Sequence, residues 1–123
     1  MSDGRILVVD DEQSLREFLT ILLEKEGYSV ATAESVETAI ASLRDASFDL
    51  VICDLKMPGI GGRDIFDYLA EHRPGLAERV IFTTGDTVSS DSWAFLQQTQ
   101  QPFISKPFKP QTVLAQVGAL LSR

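Results

Sequence analysis

The sequence predicts an α/β domain, a doubly wound parallel sheet of five strands with five helices. Two observations carry this. Short apolar, β-branched-rich runs alternate with amphipathic helical patterns from one end of the chain to the other. Strands spaced by helices of this length pair in parallel, and right-handed crossovers place helices on both faces. The length of 123 residues fits one domain spanning 1–123.

Arg5 to Asp10 is the first strand run and ends in acid. Leu15, Phe18, Leu19, Leu22 and Leu23 then recur at helical spacing, and Gly27 stops that helix. Tyr28 to Ala33 is the second strand, and Ser35 is the N-cap of a helix carrying Val36, Ala39, Ile40 and Leu43. Asp49 to Asp54 is a third apolar run, again closing on aspartate. The loop Met57-Pro58-Gly59-Ile60-Gly61-Gly62 leads to a helix with Ile65, Phe66 and Leu69, which is expected to stop at Pro74-Gly75. Arg79 to Thr84 is the fourth strand, broken by Gly85-Asp86. The fourth helix has a polar start at Ser89 to Ser92, but only Trp93, Phe95 and Leu96 as apolar surface. The glutamine cluster Gln97 to Gln101, interrupted by Thr99, offers no evident stop. Pro102 to Ser105 is a short fifth strand, and Val113, Val117, Leu120 and Leu121 mark the last helix.

Composition narrows the function classes. The net charge of −7, from 11 basic and 18 acidic residues, argues against a nucleic-acid-binding face. No apolar run approaches the ~18 residues needed to span a bilayer, so membrane insertion is not expected. The N-terminus lacks the basic start and apolar stretch of a signal peptide. The single cysteine, Cys53, excludes an internal disulfide framework and is read as a small buried hydrophobe in a reduced, cytoplasmic protein. His72 reads as a solvated helix-end residue. Trp93 is core filling, or a partner surface if exposed.

In an open parallel sheet the ligand site lies beyond the carboxyl ends of the strands. Those ends carry Asp10-Asp11, Asp54, Thr84 and Lys106. Carboxylates gathered on one rim repel, and a hard cation with oxygen ligands, Mg²⁺ above all, relieves the repulsion. Carboxylate, cation, hydroxyl and ammonium together suit a phosphoryl group in transfer, with an aspartate as the covalent nucleophile.

These residues make the sequence similar to the receiver domain of two-component response regulators along essentially the whole chain. The matching segments are Val8-Val9-Asp10-Asp11-Glu12, Asp54-Leu55-Lys56-Met57-Pro58-Gly59, Thr83-Thr84-Gly85 and Lys106-Pro107-Phe108. The resemblance implies the flavodoxin-like strand order 2-1-3-4-5. It implies Asp54 as phosphoacceptor from a phosphohistidine of a sensor histidine kinase or a histidine phosphotransfer protein. Asp11, Asp54 and the Lys56 carbonyl would hold Mg²⁺ directly, with Asp10 acting through water. Thr84 and Lys106 would hold the phosphoryl oxygens, Lys106-Pro107 would be a cis peptide, and Phe103 would be the aromatic switch that turns inward with Thr84. Such a domain is no enzyme with a separate substrate, although it assists its own phosphorylation and dephosphorylation. Weak homodimerisation is open to it.

Two departures from the family pattern stand out. Lys56 and Asp86, two residues after the acceptor and the threonine, carry opposite charges and are expected to pair across the site mouth and slow phosphoryl loss. The glutamine cluster stands where the family has a glycine-containing turn. Three rival readings fit these residues less well. A Mg²⁺-dependent phosphohydrolase would need a second acid at position 56, where lysine stands. A never-phosphorylated pseudo-receiver would not need the full pocket set. A flavodoxin-like cofactor binder would need glycines and hydroxyls where the first loop is acidic. The chain is expected to be a stand-alone receiver or one excised from a larger regulator or hybrid kinase.

Overall fold

A computed structural model describes residues 4–55, 62–85 and 90–122. The described residues form, in order, β1 (Arg5–Val9), α1 (Gln13–Lys25), β2 (Ser29–Ala33), α2 (Val36–Asp45), β3 (Leu50–Asp54), α3 (Gly62–His72), α4 (Pro74–Ala77), β4 (Val80–Thr84), α5 (Ser90–Thr99), β5 (Phe103–Ser105) and α6 (Pro110–Leu121). The five strands are parallel in the order β2-β1-β3-β4-β5. β3 and β4 are buried at every position, as expected of central strands covered on both faces.

Alternation along the strands sorts the core into two layers. Leu7, Val9, Val51, Cys53, Val80 and Phe82 face α2, α3 and α5. Ile6, Val8, Leu50, Ile52, Ile81 and Ile104 face α1 and α6. Cys53 is fully buried in the first layer, where burial pushes its thiol pKa up and keeps it protonated and unreactive.

Local chemistry sets most element ends. Gly27 adopts φ 94° just past α1, a left-handed stop that costs glycine nothing. The Ser35 hydroxyl accepts the Thr38 N–H at 3.1 Å and caps α2. His72 is exposed in the last turn of α3, its ring 4.6 Å from that of Tyr68.

Two features depart from the sequence reading. Pro74 does not simply end the third helix: it opens α4, a single turn, from its first position. The missing proline N–H is needed by no partner there, and the Arg73 carbonyl accepts the N–H groups of Leu76 and Ala77. Leu76 and Ala77 are buried, so this turn closes the core beneath β4. The second feature is the end of α5. Gln100 supplies the stop that the glutamine cluster concealed, with φ 60° and its N–H on the Leu96 carbonyl at 3.1 Å. The Gln101 side chain then donates to the Val80 carbonyl at 3.1 Å and ties the turn to β4.

Candidate functional site

Four strand ends deliver the site. β1 runs into Asp10, β3 ends on Asp54, β4 ends on Thr84, and β5 leads into Lys106. The Lys106 ammonium lies 3.1 Å from Asp54 Oδ2, 3.2 Å from Asp10 Oδ2 and 3.6 Å from Glu12 Oε1. Its backbone N–H donates to the Thr84 carbonyl at 2.7 Å, which continues the β4–β5 ladder and anchors the start of the side chain. The Lys106-Pro107 peptide is cis, as the resemblance implied.

Asp10 and Asp54 are almost completely buried, whereas Asp11 is exposed. One carboxylate oxygen from each of the three lies within 4.8 Å of the others, a spacing that fits a single oxygen-liganded cation. Asp10 is held from several sides. Its backbone N–H donates to the Ala33 carbonyl, Oδ1 accepts the Glu12 N–H at 2.9 Å, and its own carbonyl accepts Arg16 Nη1 at 2.6 Å.

The electrostatics follow from burial set against charge. Burial pushes the Asp10 carboxyl above the ordinary carboxylate value, and the Glu12 N–H and the Lys106 charge offset this only in part. Burial works to lower the Lys106 pKa, but the hydrogen bond and charge of Asp54, joined by Asp10, outweigh it and leave the ammonium above its ordinary value. The pocket therefore favours cationic charge, and a bound divalent ion would relieve the penalty on the carboxylates.

Thr84 completes the rim differently. Its hydroxyl is buried and has no hydrogen-bond partner among the described residues. An unpartnered buried hydroxyl costs on the order of 1–3 kcal/mol, which suits a donor awaiting an anionic oxygen. Together the Thr84 donor, the Lys106 ammonium and the carboxylate trio fit a site for a metal-assisted phosphoryl group. Phe103 stands apart from the carboxylates. It pairs with Phe82 in the β4–β5 register and meets Trp93 edge-on, with ring centroids 5.7 Å apart. Lys56 and Asp86, with the metal-ligand and ion-pair roles expected of them, lie outside the described residues.

Three contributors escaped the sequence reading. Arg16 and Glu12 act through the Asp10 carbonyl and the Lys106 ammonium, contacts that helical periodicity does not report. From sequence, Gly62 belongs only to a loop. A Cβ there would stand 2.8 Å from the Asp54 carbonyl oxygen and 3.1 Å from Cys53 Sγ, so the start of α3 packs directly against the end of β3. Its signal was a glycine at a helix start two residues ahead of an acid, too common a pattern to single out.

Comparison with known proteins agrees with this geometry. The family model for the response regulator receiver domain matches residues 6–118. The DNA-binding response regulator MtrA of Mycolicibacterium paratuberculosis is 38% identical over 119 residues, covering 97% of this chain and 52% of MtrA. The transcriptional regulatory protein ResD of Bacillus subtilis is 34% identical over 122 residues, covering 99% of this chain and 50% of ResD. The chain thus spans about half the length of these curated relatives. Among solved structures, a CheY-like receiver domain protein from Methanospirillum hungatei superposes with a TM-score of 0.89 at 29% identity, covering 98% of this chain and 95% of its own. The response regulator TrrA of Thermotoga maritima, solved in complex with Mg²⁺-BeF, superposes with a TM-score of 0.81 at 32% identity, covering 94% and 97%. On the match across nearly its whole length, the chain belongs to the response regulator receiver domain family.

Proposed function

We propose that this protein accepts a phosphoryl group on Asp54 from a phosphohistidine of a sensor histidine kinase or histidine phosphotransfer protein. The supporting observation is one buried carboxylate, Asp54, bonded to Lys106 and gathered with Asp10 and Asp11 at the strand ends. An Asp54 carboxylate oxygen attacks phosphorus, the P–N bond to the imidazole breaks, and the imidazole nitrogen keeps the electron pair. Asp10, Asp11 and Asp54, with the Lys56 carbonyl, are the residues that would hold Mg²⁺. When bound, that ion supplies charge neutralisation between the carboxylates and the incoming phosphoryl oxygens.

Lys106 neutralises one phosphoryl oxygen and stabilises the charge that develops during transfer. The Thr84 hydroxyl donates to a second once the group is in place. Movement of Thr84 toward the phosphoryl group opens room for the Phe103 ring, and that rearrangement is the signal. In this reading the domain turns over no separate substrate. Its contribution is to assist its own phosphorylation and hydrolysis. No helix among the described residues is long and apolar enough to cross a membrane, in line with a proposed cytoplasmic setting.

The test is labelling with a small phosphodonor, read by intact mass. A single phosphoryl adduct that needs Mg²⁺ and disappears in Asp54→Ala is the expected result. An adduct that survives in Asp54→Ala would remove Asp54 from the role, and no adduct on the unaltered protein from either the small donor or a phosphorylated histidine kinase would overturn the reading.

A further inference from the structure

Besides Thr84, the rim holds a second orphaned hydroxyl. Thr83 Oγ1 is buried and has no hydrogen-bond partner among the described residues, in a side chain only 2% exposed. Its place in the sheet sets it apart from its neighbour. Thr83 is the register partner of Asp54 across β3–β4, and of Ile104 across β4–β5. Register partners in a parallel sheet point to the same face. Ile52, Ile81 and Ile104 all belong to the layer covered by α1 and α6, and by alternation Asp54 and Thr83 share that side. Thr84 follows Phe82 on the opposite side. Lys106, two residues beyond Ile104, reaches back to Asp54 and Asp10, so its path crosses the end of β4 on the side that Thr83 occupies.

A buried hydroxyl without a partner is a standing penalty, and valine has the same shape without it. The hydroxyl is therefore explained by a partner it meets in another state of the site. Resting on the phosphoacceptor reading above, we propose that Thr83 is a positioning residue for Asp54 on the side opposite Thr84. When one Asp54 oxygen becomes bonded to phosphorus, Lys106 turns to the phosphoryl group, and the Asp54 carbonyl oxygen left behind, which would also face the cation, exchanges the ammonium for another donor. The Thr83 hydroxyl then donates to this oxygen and holds the acyl phosphate in place. Thr84 serves the phosphoryl group, and Thr83 serves the carbonyl left behind.

The experiment compares the unaltered protein with Thr83→Val and Thr83→Ser. It measures Mg²⁺ affinity alone, then beryllofluoride affinity in saturating Mg²⁺, with urea unfolding as the check on folding. The expected result is unchanged Mg²⁺ affinity, about fivefold to tenfold weaker beryllofluoride binding in Thr83→Val, and near-complete recovery in Thr83→Ser. Thr83→Val is expected to fold at least as stably, and Thr83→Ala repeats the deletion without the extra methyl. Equal beryllofluoride binding in all variants would overturn the role of Thr83 while leaving Asp54 as acceptor. Parallel loss of Mg²⁺ and beryllofluoride affinity, or no recovery with serine, would reduce Thr83 to packing and overturn it as well. If the unaltered protein failed to bind beryllofluoride at all, the phosphoacceptor reading itself would fall.

Discussion

The two halves of the sheet are built to different standards. Around β1 and β3, the strands are five residues long and almost wholly buried. There Asp10 is pinned through its N–H, carbonyl and carboxylate, and Lys106 bridges it to Asp54. Around β5, the strand has three residues, α5 buries Phe95 and Leu96, and Trp93 stays 47% exposed against Phe103. The turn between them holds a glutamine at φ 60°. The difference fits the division of labour that the proposed function calls for. A phosphoryl-transfer site needs carboxylates fixed to fractions of an ångström, whereas a response to phosphorylation needs an element whose rearrangement is inexpensive. Thr84 and Lys106 join the two, since one ends β4 and the other follows β5.

The largest expected effect comes from removing the cation of the fixed half. Lys106→Met leaves Asp10 and Asp54 buried without their ammonium and should cost about 3 kcal/mol of stability near neutral pH, read by urea unfolding. The pH dependence sharpens this. Because Lys106 is raised above its ordinary value of 10.5, its contribution is fully present below that pH and is lost as pH rises through the higher folded value. Lys106→Met should lack that alkaline loss. A variant as stable as the unaltered protein would mean that the pocket is not electrostatically organised around Lys106.

Gly62→Ala tests the packing against Asp54. With a Cβ 2.8 Å from the Asp54 carbonyl, the start of α3 must shift, at a cost of about 1–3 kcal/mol. Loss of Mg²⁺ affinity should accompany it, because the shift acts on the Asp54 backbone. Stability and affinity both unchanged would show that α3 is not coupled to the end of β3.

Asp10→Asn should move stability the other way. A carboxyl raised by burial disfavours the ionised folded state. The metal-free variant should therefore be the more stable at neutral pH, an advantage that fades as pH falls through the raised folded value and is gone below the ordinary carboxylate value of 3.8. Its additional stabilisation by Mg²⁺ should shrink, which thermal unfolding with and without the ion would show.

The smallest effect belongs to the looser half. Gln100→Gly relieves a left-handed backbone and should raise stability by about 0.5–1 kcal/mol without altering Mg²⁺ affinity. A change in metal affinity there would contradict the separation of the two halves.

Legibility in the sequence follows this boundary only in part. The fixed half was readable because its strands are β-branched runs that close on charged residues, and because the fold rule alone selects Asp10, Asp11, Asp54, Thr84 and Lys106 at the strand ends. Periodicity says which face a residue takes but not what it touches across the chain. Arg16 on the Asp10 carbonyl and Gly62 under Asp54 were therefore invisible. The third helix does stop ahead of Pro74, but the turn that follows is hidden because the same residue that ends one helix is well suited to begin another. Gln100 was unreadable because the left-handed stop is usually announced by glycine, and here the bonds from Gln100 and Gln101 to Leu96 and Val80 support it instead.

The most direct measurement is amide hydrogen exchange on the Mg²⁺-loaded protein, before and after reaction with a phosphodonor. The account predicts altered protection concentrated in α5 and β5, residues 90–105, with β1 and β3 unchanged beyond the immediate neighbours of Asp54. Phosphorylation on Asp54 that left residues 90–105 unaltered, or that changed protection evenly across the sheet, would contradict it.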